Sequence, residues 1–131
     1  MPVTIKPTQD VLEQTRQAEH PLCIVCGQSA ECGLNLDFSL CADGMVEAAF
    51  DCNAKFQGYK GILHGGITSS LLDGAMTNCL FAHGIVAVTA EMTVRFRHPI
   101  DLNTPLTVRA YTTRSQSPLH IVEAKSYRKD W

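Results

Sequence analysis

The sequence predicts an α+β domain in which one antiparallel sheet packs against a single long helix. Three observations lead there. Residues 66–82 form one apolar stretch of helical composition. Segments that alternate apolar and polar residues lie on both sides of it. The alternating segments are joined by short turn clusters, "ADG", "DLNTP" and "SQSP". Connections that short join antiparallel neighbours, because a parallel pair needs a crossover of a dozen residues or more. The chain has 131 residues, enough for one domain with its own core. No repeat, linker or low-complexity tract divides it, so residues 1–131 read as a single domain.

Residues 8–19, "TQDVLEQTRQAE", have helix-forming composition, with Asp10 and Glu13 at capping-box spacing. The apolar face is thin (Val11, Leu12, Ala18), which predicts a short surface helix or a frayed arm over residues 1–21. Residues 20–34 are rich in Gly, Cys and Pro and read as irregular. "LNLDFSLC" alternates as a strand, with Leu34, Leu36, Phe38 and Leu40 on one side. "ADG" turns the chain, and "MVEAAFDC" returns as the second strand. "NAKFQGYKG" is a polar connection to the helix. Along the helix, Ile67, Leu71, Leu72, Ala75, Met76, Cys79 and Leu80 make so broad an apolar surface that most of it must be buried. A sheet curved about the helix would do that. Gly84 suits its C-terminal end. "VAVTAEMTVRFRHPI" then predicts a long strand, with Val86, Val88, Ala90, Met92, Val94 and Phe96 in one phase. "TPLTVRAYTTR" and "LHIVEAKSYR" predict two more.

Composition narrows the function. The hydrophobic fraction of 45% and charged fraction of 18% are those of an ordinary globular chain. A formal net charge of −2 argues against nucleic acid or an anionic membrane as the main partner. The N-terminus lacks an apolar signal core and no run is long enough to span a membrane, which points to the cytoplasm.

"ILHGGITSSLLDGAM" carries the chemistry. A helix N-terminus presents unpartnered N–H groups and positive partial charge. Gly65 and Gly66 leave such groups open to a ligand, so the turn is a candidate oxyanion site; otherwise it is a tight turn feeding a helix. His64 could hydrogen-bond nearby or orient that turn. Asp73 is an acid among Leu71, Leu72, Ala75 and Met76. A carboxylate there needs a role, either as base or nucleophile or as acceptor from Ser69 or Ser70. Asp73 lies seven residues past Gly66, roughly 10 Å along a helix axis. One reacting carbonyl must sit within about 3 Å of both groups. Two antiparallel copies can meet that condition where one helix cannot, which predicts a homodimer with two equal sites at its seam.

Six cysteines, Cys23, Cys26, Cys32, Cys41, Cys52 and Cys79, are an even number, but an intracellular chain of this size does not call for disulfides. "HPLCIVCGQSAEC" places His20, Cys23, Cys26 and Cys32 in a compact row. One CxxC without a second pair is a weak zinc signal, and the expectation is a packing turn with no bound metal.

These motifs resemble the hotdog-fold acyl-CoA thioesterases, in particular their phenylacetate-pathway and THEM-like branch. "GYKGILHGGITSSLLDGAM", "VTAEMTVRFRHPI" and "CIVCG…CGLNLDF" carry the resemblance over roughly residues 22–128. It implies a curved antiparallel sheet around a long central helix, and hydrolysis of acyl-CoA or aryl-CoA thioesters without a cofactor. By the same resemblance Asp73 attacks the thioester or activates water. His64 and Gly65 hold its carbonyl, with the Gly65 N–H as oxyanion donor, and Thr89 places the water. Gly66, Gln57 and Gly58 would line the substrate. Arg95, Arg97 and Lys129 are the candidate cations for the coenzyme A phosphates. A homodimer, or a dimer of dimers, is the implied assembly. Some members carry asparagine where Gly58 stands, with Gln57 as a neighbouring substitute, and the family has one more strand after residue 131. The alternative functions are a non-catalytic acyl-CoA-binding protein of the same fold and a zinc-bearing regulatory module.

Overall fold

The structure, a computed structural model, describes residues 6–28 and 33–128. Helix α1 spans Gln9–Glu19, strands β1 and β2 Ser39–Leu40 and Val46–Asp51, helix α2 Gly65–Phe81, and strands β3 and β4 Pro105–Gln116 and Leu119–Tyr127. The strands form one antiparallel sheet in the order β1-β2-β3-β4. Among the described residues no helix is long and apolar enough to cross a membrane.

Alternation along β2 and β3 turns Val46, Ala48, Phe50, Leu106, Val108 and Ala110 to one face of the sheet, where they are buried. Leu71, Ala75 and Cys79 of α2 join them in the core. Each large aliphatic side chain so buried contributes about 1.5–3 kcal/mol. The β1–β2 hairpin turns at Gly44, whose φ of +86° suits glycine. The Met45 N–H, and then Arg109, hold the Asp43 carboxyl below its usual range.

The sheet covers one side of α2. The N-terminal segment covers another. Thr8, not Asp10, caps α1, accepting the Val11 N–H at 3.1 Å, so the predicted capping box is replaced by a cap two residues earlier. Helix α1 is not a surface arm. Leu12 and Arg16 are buried, and the Thr8 N–H donates to the Ala82 carbonyl at the far end of α2. Val25 and Cys26 complete this second layer. Its closest approach is at Gly74, where an added Cβ would lie 2.4 Å from Val25 Cγ1.

Two strand expectations need correction. From Leu34 to Leu40 the burial alternates as the sequence predicts, but only Ser39–Leu40 joins the ladder. The backbone of Leu34 and Leu36 pairs instead with Ile24 and Val25. Residues 86–99 form no strand. Alternation reports which side chains can share a face; a ladder also needs a paired neighbour, and among the described residues no strand pairs with this segment. Val88 is consequently 92% exposed.

Gly74→Ala tests the packing of the second layer. In an open helix this change is worth about 1 kcal/mol of added stability. Against the stiff Val25 side chain it instead overpacks, and a net loss on the order of 1 kcal/mol is expected in urea unfolding. Combination with Val25→Ala should show coupling of about 0.5–3 kcal/mol. A Gly74→Ala protein at least as stable as the parent would contradict this packing.

Candidate active site

His64 ends a compact loop and begins α2. The loop is closed by backbone bonds from Gly58 N–H to the Ile62 carbonyl (2.9 Å) and from His64 N–H to the Phe56 carbonyl (2.9 Å). Gln57 contributes its side-chain oxygen, which accepts the Gly61 N–H at 3.0 Å. Gln57 therefore shapes the loop, and that oxygen is engaged. Gly58 lies against His64: a Cβ there would sit 3.1 Å from the His64 Cα and 3.3 Å from its ring.

His64 is the N-cap of α2. Its Nδ1 accepts the Gly66 N–H at 2.8 Å, and its carbonyl accepts the N–H groups of Ile67 (3.0 Å) and Thr68 (3.1 Å). A Cβ on Gly66 would approach the imidazole to 3.0 Å, so glycine there makes room for the cap. The two glycines divide their tasks. Gly66 spends its N–H on His64, and Gly65, the first residue of the helix, keeps an N–H with no acceptor among the described residues. An open groove of about 530 Å³ runs past this point, lined by Gln57, Gly58, Tyr59, Leu63, His64 and Gly65. The Phe96 ring stands beside Gly65, 3.5 Å from where a Cβ would be. The sequence assigns Phe96 and Tyr59 no role at the site; their placement depends on two loops meeting, which no local pattern encodes.

Asp73 lies further along α2 and is half-buried. Its Oδ1 accepts the Thr89 hydroxyl at 2.7 Å. Ser70 donates instead to the Gly66 carbonyl, at 2.9 Å. Among the described residues no hydrogen bond reaches the second Asp73 oxygen. The helix is regular from Gly65 to Phe81, so the roughly 10 Å rise between the glycine turn and Asp73 stands, and Asp73 does not line the groove at Gly65. Arg95 and Arg97 are exposed on the segment that carries Thr89 and form no ion pair among the described residues. Lys129 lies outside the described residues.

Burial pushes the Cys52 thiol up to about 11 and raises that of Cys79, so both stay protonated near neutrality. Among the described residues, the one group of side chains placed to hold a metal is His20, Cys23 and Cys26, on the N-terminal segment.

The model of the thioesterase superfamily matches residues 60–130, more than half of the chain. The chain belongs to the thioesterase superfamily. Its match covers α2 with the glycine turn, Asp73 and Thr89. A rat protein described as acyl-coenzyme A thioesterase THEM4 is 30% identical over 78 residues, which are 57% of this chain. This chain spans about a third of that relative, 34% of its length. Similar solved structures have the hotdog fold. A thioesterase superfamily protein superposes with a TM-score of 0.75 at 23% identity, over 81% of this chain and 55% of that one. The Escherichia coli PaaI protein, from the phenylacetic acid degradation operon, gives 0.66 at 20% identity over 92% and 94% of the two chains. Like these structures, this superfamily member sets a long helix against an antiparallel sheet.

In this member the His64 cap is testable without an assay of activity. Gly66→Ala should displace the imidazole, and the roughly 1 kcal/mol lost with the N-cap should offset the roughly 1 kcal/mol that alanine adds over glycine in a helix, leaving stability near that of the parent. Ring proton shifts of His64 and urea unfolding read the two effects. Unchanged ring shifts with a gain of about 1 kcal/mol in stability would show that His64 does not cap α2.

Proposed function

We propose that this chain hydrolyses acyl-CoA thioesters, with Asp73 as base or nucleophile and the Gly65 N–H as oxyanion donor. The observation that carries the reading is the 2.7 Å hydrogen bond from Thr89 to Asp73, which fixes a half-buried carboxylate and leaves its second oxygen available. In hydrolysis, water adds to the thioester carbonyl carbon and its proton passes to Asp73. Negative charge gathers on the carbonyl oxygen, where an N–H at the positive end of α2 stabilises it. The C–S bond then breaks, and coenzyme A leaves as a thiolate that takes up a proton. Asp73 acting instead as nucleophile would pass through an anhydride that water cleaves.

The same reading makes the working unit a homodimer. Donor and carboxylate on one helix are too far apart to serve one carbonyl, so Gly65 of one copy acts with Asp73 of the next. Val86, Val88 and Phe96, exposed on the segment that carries Thr89, support an apolar contact between copies there. Arg95 and Arg97 on that segment would meet the phosphates of coenzyme A.

A second reading, acyl-CoA binding without turnover, is favoured by one feature. Position 58 has no side chain, and the Gln57 oxygen is used by Gly61, so the only polar group these two side chains leave above the turn is the Gln57 amide nitrogen.

Thiol release from a panel of acyl-CoA and aryl-CoA substrates separates the two. Asp73→Ala should lower kcat by about 10²-fold or more while circular dichroism stays that of the parent. Thr89→Ala should slow turnover more mildly. Parent-like turnover in Asp73→Ala would sink the catalytic assignment, and binding of acyl-CoA with no turnover by the parent would establish the second reading. Sedimentation should show at least a dimer; a stable, active monomer would exclude the shared seam.

A further inference from the structure

We infer that His20, Cys23 and Cys26 bind one zinc ion that ties the N-terminal segment to α2. The absence of a second CxxC argues against a metal in the sequence; the fold brings three of the four candidate ligands, His20, Cys23 and Cys26, together. His20 is the C-cap of α1, and the two cysteines lie on the turn that follows. The three ligand atoms lie within 4.8 Å of one another, with His20 Nδ1 and Cys26 Sγ 3.7 Å apart. Tetrahedral zinc with bonds of about 2.3 Å to sulfur and about 2.05 Å to nitrogen would separate those two atoms by about 3.6 Å. The observed pair is thus already at ligand spacing.

The turn is built to present both sulfurs. The Gly27 N–H returns to the Cys23 carbonyl at 2.9 Å, and a Cβ on Gly27 would meet the Cys23 backbone at 2.5 Å. Only glycine allows the chain to fold back so tightly after the second cysteine. The Val25 N–H points at Cys23 Sγ, 3.4 Å away, and an amide hydrogen aimed at sulfur favours the thiolate that a metal needs. Leu34 and Leu36 brace the turn from outside through backbone bonds to Ile24 and Val25. From inside, the fully buried Asn78 of α2 and the buried Arg16 lie close to Cys26, whose thiol burial pushes up to about 11, so a metal binding here would displace its proton. The Phe81 ring meets His20 edge-on at 4.9 Å, fixing the plane of the imidazole. Cys26 is buried and Cys23 half-buried, so a metal would enter from the Cys23 side.

Two sulfurs and an imidazole in this geometry select zinc over harder cations. Three protein ligands leave the fourth position to a further donor. The ion would link the end of α1, the cysteine turn and, through Val25 and Asn78, the face of α2 at Gly74. Its role is structural. It lies on the segment packed behind α2 and is separate from Asp73 and the glycine turn.

The tag-free chain, purified under reducing conditions with zinc and dialysed, should hold about one zinc per chain by elemental analysis. Cobalt in place of zinc should give thiolate-to-cobalt absorption in the near ultraviolet and the intense visible bands of a tetrahedral site. Chelation should lower the melting temperature, and Cys23→Ser and His20→Ala should each lose the metal. Zinc well below one equivalent with no cobalt–thiolate absorption, or variants that retain zinc like the parent, would overturn the site. A Cys23–Cys26 disulfide in the protein isolated with zinc present, with no metal bound, would overturn it equally. Should a variant fail to fold, the cobalt spectrum of the parent still decides.

Discussion

The burial of α2 on two faces is the constraint on which the other features rest. The sheet takes Leu71, Ala75 and Cys79, and the N-terminal segment takes Gly74 and Asn78. Held from both sides, the helix can neither roll nor slide. Its N-terminus is therefore fixed at the groove, and Asp73 is fixed on the remaining, half-exposed flank. The rigidity also fixes what one copy cannot do. A straight helix keeps the Gly65 N–H and the Asp73 carboxylate about two turns apart.

The start of the helix shows how little covalent material the arrangement needs. His64 supplies the cap, Gly66 makes space for the imidazole, and Gly58 makes space for the His64 backbone. Gly65 is left with the one N–H that the cap does not use. These four residues thus convert an ordinary helix N-terminus into a single directed donor beside a groove. The carboxylate is treated in the same economical way: one hydroxyl, from Thr89, orients it and occupies one oxygen.

Much of this was legible in the sequence, for identifiable reasons. The long helix is found within one residue of its predicted ends because its apolar run, glycine turn and Gly84 act locally. The juxtaposition of Thr89 with Asp73 was implied by resemblance and could not have come from spacing. Residues 86–99 misled because alternation encodes a face and says nothing of a hydrogen-bonding neighbour. Leu34 to Leu40 alternate for the same reason, yet pair with the cysteine turn over part of their length. The cap at Thr8 was missed because Asp10 and Glu13 offer a competing pattern two residues on. Burial of α1 was missed because a thin apolar face, mainly Leu12, was enough to dock it. The proximity of His20 to the cysteines depends on where α1 ends, which spacing did not fix.

In the proposed dimer one working site takes Gly65 from one copy and Asp73 from another. Gly65→Pro removes the donor with little else. Proline is well accepted as the first residue of a helix, and His64 already has the extended backbone (φ −61°, ψ 132°) that a following proline requires. Gly65→Pro and Asp73→Ala chains, each inactive alone, are to be mixed under exchanging conditions and assayed for thiol release. Random pairing makes about half of the dimers mixed, each with one intact seam, so activity should return to about a quarter of the parent's. If mixed dimers form and no activity returns, the two groups do not act across a seam.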